Sequence, residues 1–210
     1  MPIITISRGS YSRGRDVAEK LARELGYACV SREILLEASE QFNIPEIQLV
    51  NAIEDAPSIL SRLTRGKERY VAYVRAALLK RVQKDNVVYH GFAGHLLLRD
   101  VPSVLKVRII ASIEDRIQEV VKRDGVSEDQ ARERIARADE ERQKWAHHLY
   151  GVDPRDVNLY DIVVQINPMT VDDAVGTIGL AAQLPAFQTT SEAKKTLEEL
   201  AARAEADAKG

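Results

Sequence analysis

Short runs of Val and Ile alternate along this chain with longer stretches of helical apolar period. The apolar runs predict strands at 3–7, 27–30, 87–90, 105–111 and 160–166. Their Val and Ile content on both faces is that of strands buried in a parallel sheet. Helical patterns fill the intervals. Residues 16–25 end at Gly26, a C-cap residue, and 32–41 follow Ser31, a candidate N-cap. Residues 45–55 open with Pro45, and 67–84 place Val71, Val74, Leu78 and Val82 on one face. Segments 114–122 and 128–149 are separated by Asp124-Gly125, and Ser127 with Gln130 forms a capping box for the second. A last helix is predicted over 171–184. Strands alternating with helices give a doubly wound parallel α/β sheet. There are no internal repeats.

The chain after Pro185 breaks this pattern. Thr189-Thr190-Ser191 opens a polar, Ala/Glu/Lys-rich segment to Gly210, in which Leu197 and Leu200 are the large apolar residues. It reads as an exposed or docking helix behind a short linker. A helix that recruits a partner is the sharper alternative.

Composition narrows the class. At 210 residues with 45% apolar content, the chain suits one α/β domain with a real core. Charged residues reach 30%, yet the net charge is −2, which argues against a strongly basic nucleic-acid binder. The single cysteine, Cys29, sits in an apolar run and reads as a small core residue. No apolar run approaches the roughly 18 residues of a membrane span, and no secretion signal is legible. A cytoplasmic protein without a membrane partner is the default expectation.

Chemistry concentrates first at the N-terminus. The run Ile3–Ser7 leads into Arg8-Gly9-Ser10-Tyr11-Ser12-Arg13-Gly14-Arg15-Asp16, and a helical pattern follows. A strand, a turn of small residues and a helix N-terminus are how a phosphate-binding loop is built. Gly9 and Gly14 match G-x-x-x-x-G-K-[ST], but Arg15 stands in place of Lys and Asp16 in place of Ser or Thr. Gly9, Ser10, Tyr11, Ser12, Arg13, Gly14, Arg15 and Asp16 are therefore the candidate donor-binding residues. Arg15 is the cation expected on the phosphates, although guanidinium is bulkier than ammonium. Asp16 is a candidate magnesium ligand, at an unusual loop position for that role. A polar turn that binds nothing is the plain alternative.

Two further groups belong to this picture. Arg134, Arg137 and Arg142, with Asp139, share a predicted helix, and arginines commonly meet transition-state charge in phosphoryl transfer. Acidic residues interleave with them, so a salt-bridged surface helix is the bland reading. Tyr89-His90-Gly91-Phe92-Ala93-Gly94-His95 begins at the end of a predicted buried strand, where ligands sit in open α/β sheets. His90 or His95 can contact a phosphate or base there, or serve an ordinary structural role. His147-His148 lacks helical metal-ligand spacing. Trp145 and Tyr150 can stack on a base or simply pack.

These residues resemble the nucleoside monophosphate kinase group, and more closely the cytidylate-kinase-like family. The resemblance covers roughly 1–184. It rests on Ile6-Ser7-Arg8, the Gly/Ser-rich loop and Gly14-Arg15-Asp16, then on Asp139…Arg142, Trp145 to Tyr150 and Tyr160-Asp161. It implies a P-loop NTPase-type parallel sheet flanked by helices within 1–187. Residues 44–84 would be a helical acceptor-binding segment, 112–157 a lid-like segment and 188–210 a polar tail or helix. It implies ATP and Mg2+ as donor and metal, a nucleotide or other small phosphorylated acceptor, and lid roles for Arg134, Arg137 and Arg142. Related sequences often carry Gly-Arg after the third strand, whereas this chain has Gly91-Phe92. The acceptor's phosphate then depends on Arg32, Arg62, Arg65 or Arg69, with His90, Gly91 and Asp139 as further substrate contacts.

Three functions follow. An ATP-dependent kinase for a nucleoside monophosphate or similar acceptor comes first. A nucleotide or anion sensor on a kinase fold competes with it. An interaction protein working through its tail, or a homo-oligomer, stays open.

Overall fold

The computed structural model describes residues 2–54, 66–84 and 86–209. Five strands form one parallel sheet: β1 (Ile3–Arg8), β2 (Ala28–Val30), β3 (Val87–Tyr89), β4 (Val104–Ala111) and β5 (Ile162–Ile166), in the order β2-β3-β1-β4-β5. The described helices are α1 (Gly14–Leu25), α2 (Glu33–Phe42), α3 (Glu46–Glu54), α4 (Gly66–Val82), α5 (Gly94–Leu97), α6 (Ile113–Asp124), α7 (Glu128–Tyr150), α8 (Val171–Ala182) and α9 (Ser191–Lys209).

Alternation along β1 divides the core. Ile3 points to a cluster with Leu78, Leu79 and Leu97, while Ile4 and Ile6 pack with Val17, Leu21 and Ile178 on the other face. Helices α1 and α8 cover the second face; α2, α4 and α9 lie on the first. Helices α6 and α7 hold a small cluster of their own, Ile117, Val120, Ala131 and Ile135, stopped and started by Gly125 in the left-handed region and the capping box of Ser127 with Gln130. Strand β1 lies between β3 and β4: after β1 the chain runs to β2 on one side, and after β3 it crosses back to β4 on the other, so the strand order reverses beside β1. That switch point opens a crevice in a P-loop NTPase-type α/β arrangement.

Two local expectations, on Cys29 and Ser31, are corrected. Cys29 is exposed, because β2 is a three-residue edge strand with its outer side uncovered. Ser31 does not cap α2. The N-cap is Arg32, without a side-chain cap bond, and the Ser31 N–H itself donates to Glu33 Oε2 at 2.8 Å. Residues 94–97 form the short buried helix α5. The tail is one helix, α9, lying against α4 with Ala193, Leu197, Ala201, Ala204 and Ala208 buried. Counting large apolar residues missed a stripe made mostly of alanine at helical spacing. The last residue of the segment expected over 45–55 lies outside the described residues.

Candidate functional site

A cleft of about 690 Å³ opens at the carboxyl ends of β1 and β3. Its walls come from the end of β1, the start of α2, the turn 90–93 and the facing side of α7. It is rich in arginine: Arg8, Arg15, Arg32, Arg108, Arg116, Arg142 and Arg155 all reach it.

The first turn is tightly closed. The Gly9 N–H donates to Ile109 O at 3.1 Å and the Ser12 N–H to Gly9 O at 3.3 Å. The Ser12 hydroxyl, fully buried, lies 2.9 Å from Gly9 O and 3.1 Å from Ile109 O, and shares its single hydrogen between these carbonyls. Tyr11 and Arg13 hold left-handed φ values of 61° and 60°, which L side chains adopt at a cost of about 1 kcal/mol each. Such non-glycine strain clusters where a loop must present its backbone to a ligand. Gly14 is required by packing, since a Cβ there would lie 2.7 Å from the Arg8 Cβ. Gly9 is not: its Cβ would meet nothing closer than 3.9 Å. Ser10 is buried and its hydroxyl has no partner among the described residues, so the loop holds an unsatisfied polar group.

The side chains around the turn are mostly paired. Arg15 reaches the cleft but is largely exposed and ion-paired with Glu19 at 2.6 Å, which raises its pKa. Arg13 and Asp16 pair at 3.0 Å, so the candidate metal carboxylate already has a cation beside it. Arg8, half-buried, makes no ion pair within 4 Å among the described residues; burial, and then the Arg15 charge, lower its pKa.

The arginines of α7 separate. Arg142 enters the cleft, donates to Arg8 O at 2.7 Å and sits 5.9 Å over the Phe92 ring; burial pushes its pKa down to about 10. Arg134 pairs with Asp124 and Arg137 with Glu141, and neither lines the cleft in this arrangement. Asp139 faces the first turn. Its Oδ1 accepts the Ser10 N–H at 3.4 Å, and its Oδ2 accepts from Arg116 Nη2 at 2.6 Å. Arg116 Nε also donates to Ser10 O at 2.6 Å.

On the opposite wall, Gly91 and Gly94 lie against the buried Tyr89 ring, where a Cβ would come within 2.3 Å and 2.5 Å of it. Their sequence signal is thus packing as much as access. His90 is buried at the wall; burial, and then Arg8, lower its pKa. His95 lies 3.1 Å from the Tyr160 hydroxyl, and burial, then Arg108, push its pKa down to about 3, so it is neutral. Phe92 meets Trp145 edge to face at 4.7 Å, so Trp145 packs between α7 and the turn. Arg32 lines the cleft and pairs with Glu46 at 3.5 Å. Arg69 is outside it, 5.7 Å over the Tyr73 ring. Arg62 and Arg65 lie outside the described residues.

Sequence reasoning did not single out Arg116, Arg108 or Arg8 as site residues. A charge at Arg108 inside an apolar strand was a readable signal; Arg116, one charge among many on an amphipathic helix, gave none. No group of three His, Cys, Asp or Glu suited to a metal occurs among the described residues. None of their helices is long and apolar enough to cross a membrane.

The sequence matches the model of a family described as cytidylate kinase-like over residues 3–168. The cytidylate kinase of Ignicoccus hospitalis is 27% identical over 179 residues, spanning 85% of this chain and 97% of that one. That of Methanopyrus kandleri is 28% identical over 180 residues, spanning 85% and 92%. Among solved structures, an uncharacterized protein from Eubacterium ventriosum superposes with a TM-score of 0.67 at 23% identity, over 84% of this chain and 95% of that one. Shikimate kinase from Bacteroides thetaiotaomicron gives 0.52 at 12% identity, over 87% and 99%. At these identities the structural likeness establishes the fold.

Proposed function

The chain belongs to the cytidylate kinase-like family, and from that premise we propose that it is an ATP-dependent phosphotransferase acting on a nucleoside monophosphate or similar small acceptor. The observation that carries this reading is the arginine-rich cleft at the switch point, with the closed turn 9–14 at its edge. Phosphoryl transfer asks the protein for positioning and charge neutralisation rather than covalent chemistry. In this reading the turn and the N-terminus of α1 take the donor phosphates, with Gly9, Ser10, Tyr11, Ser12, Arg13, Gly14 and Arg15 as the cradle. Arg15 reaches them once it leaves Glu19. Arg142 stands in the cleft to meet charge on the transferring group, while Arg134 and Arg137 come to it through movement of α6 and α7 as a lid. The acceptor lies against Arg32, His90, Gly91 and, once it leaves the first turn, Asp139, with Arg69 supplied by the acceptor-binding segment 44–84.

Magnesium suits this donor set in its usual mode, one carboxylate with the phosphates and water completing the shell, and Asp16 is that carboxylate. Asp16 would hold it once freed from Arg13, and the ion would supply positive charge to the phosphates. The test is transfer of labelled γ-phosphate from ATP to a panel of ribo- and deoxynucleoside monophosphates. Product on CMP or dCMP supports the cytidylate reading; product on another acceptor keeps the mechanism and changes the substrate. Arg15→Ala is expected to abolish transfer, and near-normal turnover in that variant removes Arg15 from the mechanism.

One observation favours a second reading. Arg15 is turned to Glu19, and Arg134 and Arg137 are paired with Asp124 and Glu141 outside the cleft, so the cations expected on the transferring group are not assembled. A sensor that binds nucleotide without turnover needs no more than this. Binding of ATP with no transfer to any acceptor supports it.

A further inference from the structure

We infer that the Asp139 carboxylate marks a phosphate position at the first turn, and that Arg116 is the cation that holds the phosphate displacing it. This rests on the reading that turn 9–14 binds phosphate, not on any particular acceptor or on turnover.

The argument begins with what Asp139 touches. A carboxylate and a phosphate present the same face to a protein: two anionic oxygens that accept from N–H donors. Asp139 arrives from α7, 129 residues away in sequence, and accepts the Ser10 N–H at 3.4 Å. That bond is long, whereas the bond from Arg116 to its other oxygen is short, 2.6 Å. The carboxylate is thus held by Arg116 and leans on the turn. Arg116 is only 12% exposed and is fixed through its Nε by the Ser10 carbonyl at 2.6 Å. A guanidinium oriented by a backbone carbonyl of a phosphate loop, with one edge turned to an anion over that loop, is preorganised for a second anion in the same place. The buried Ser10 hydroxyl, without a partner among the described residues, lies in the same residue and offers a further donor.

Asp139 is then an internal competitor. A phosphate that takes the Ser10 N–H and the Arg116 Nη2 must expel the carboxylate that holds both, which two anions at one site require in any case. One tie of helix α7 to the turn is released as it does so, while Arg142 still holds the Arg8 carbonyl. Donor binding and movement of α7 are thereby coupled through a single exchange of anions.

The experiment is calorimetric titration of the full chain with MgATP, and separately with inorganic tripolyphosphate, at low salt. Arg116→Gln is expected to weaken both by ~10-fold or more, the loss of a charge-assisted hydrogen bond to phosphate. Asp139→Asn removes the competing charge and is expected to tighten both by about 3-fold or more. Arg116→Lys keeps the charge but cannot bridge two partners, so it falls between Gln and wild type. Should Arg116→Gln fail to fold, Arg116→Lys and Asp139→Asn carry the test. Binding within about 2-fold of wild type in the Arg116 variants, or weakened or unchanged binding in Asp139→Asn, overturns the inference. The expected pattern without transfer to any acceptor defeats the phosphotransferase reading and leaves this inference standing. Transfer by a protein whose donor binding ignores both substitutions does the reverse.

Discussion

Gly9 and Gly14 occupy equivalent-looking places in the motif, and the structure separates them. A methyl group at Gly14 meets the Arg8 Cβ at 2.7 Å and the Ile109 Cβ at 3.4 Å, whereas one at Gly9 finds open space out to 3.9 Å. Gly14→Ala is therefore expected to cost about 1–3 kcal/mol by overpacking, and Gly9→Ala about 0.5 kcal/mol or less. Denaturant melts of the two variants decide this, and equal losses would contradict the packing argument. His95 carries a second residue-scale prediction. Its folded pKa of about 3 lies below the ordinary 6.5, because burial and then Arg108 oppose its charge. The unfolded chain takes up that proton first, so the stability contributed by neutral His95 is complete above pH ~6.5 and is lost as pH falls toward 3. Between pH 7 and pH 5 the loss is about 2 kcal/mol. Wild type should lose that much more than His95→Gln over the same interval; parallel losses would show that His95 does not titrate in this way.

At the scale of elements, α9 is held by a stripe rather than by a cluster of large side chains. Leu197 is 2% exposed and the buried residues around it on the helix are alanines, which let α9 and α4 approach closely. Leu197→Ala is expected to cost roughly 2–4 kcal/mol, read as a fall in the thermal midpoint; an unchanged midpoint would show that the helix adds nothing to the fold. The helix ends at Gly26 and Gly125 and the start at the Ser127–Gln130 box were legible because these caps act within a few residues, whereas Ser31 and helix α5 were not. What was not legible depends on neighbours far along the chain. Cys29 has an apolar sequence context, and its exposure follows from β2 being an edge. The alanines of α9 carry no apolar signal until α4 lies beneath them.

For the whole molecule, the sheet order brings the candidate residues to one cleft but does not bring them all. Gly9, Arg15, Arg32, His90, Gly91, Asp139 and Arg142 line it; Ser10, Tyr11, Ser12, Arg13, Gly14, Asp16, Arg69, Arg134 and Arg137 do not in this arrangement. The first turn was legible as a motif. Its closure by Arg116 and Asp139 was not, since a contact spanning 129 residues leaves no periodicity or spacing to read. The arrangement also has an optical consequence. The chain has a single tryptophan, and Trp145 bridges the helix that faces the cleft and the turn after β3, its ring 4.7 Å from Phe92. Any shift of α7 relative to the sheet alters the surroundings of that one indole. Unlabelled protein titrated with MgATP should therefore change its emission, and Phe92→Leu should change the baseline signal while leaving a transition at the same nucleotide concentration. A flat titration in a protein that calorimetry shows to bind would mean that α7 stays where it is. The molecule thus carries its own fluorophore at the joint whose motion matters most.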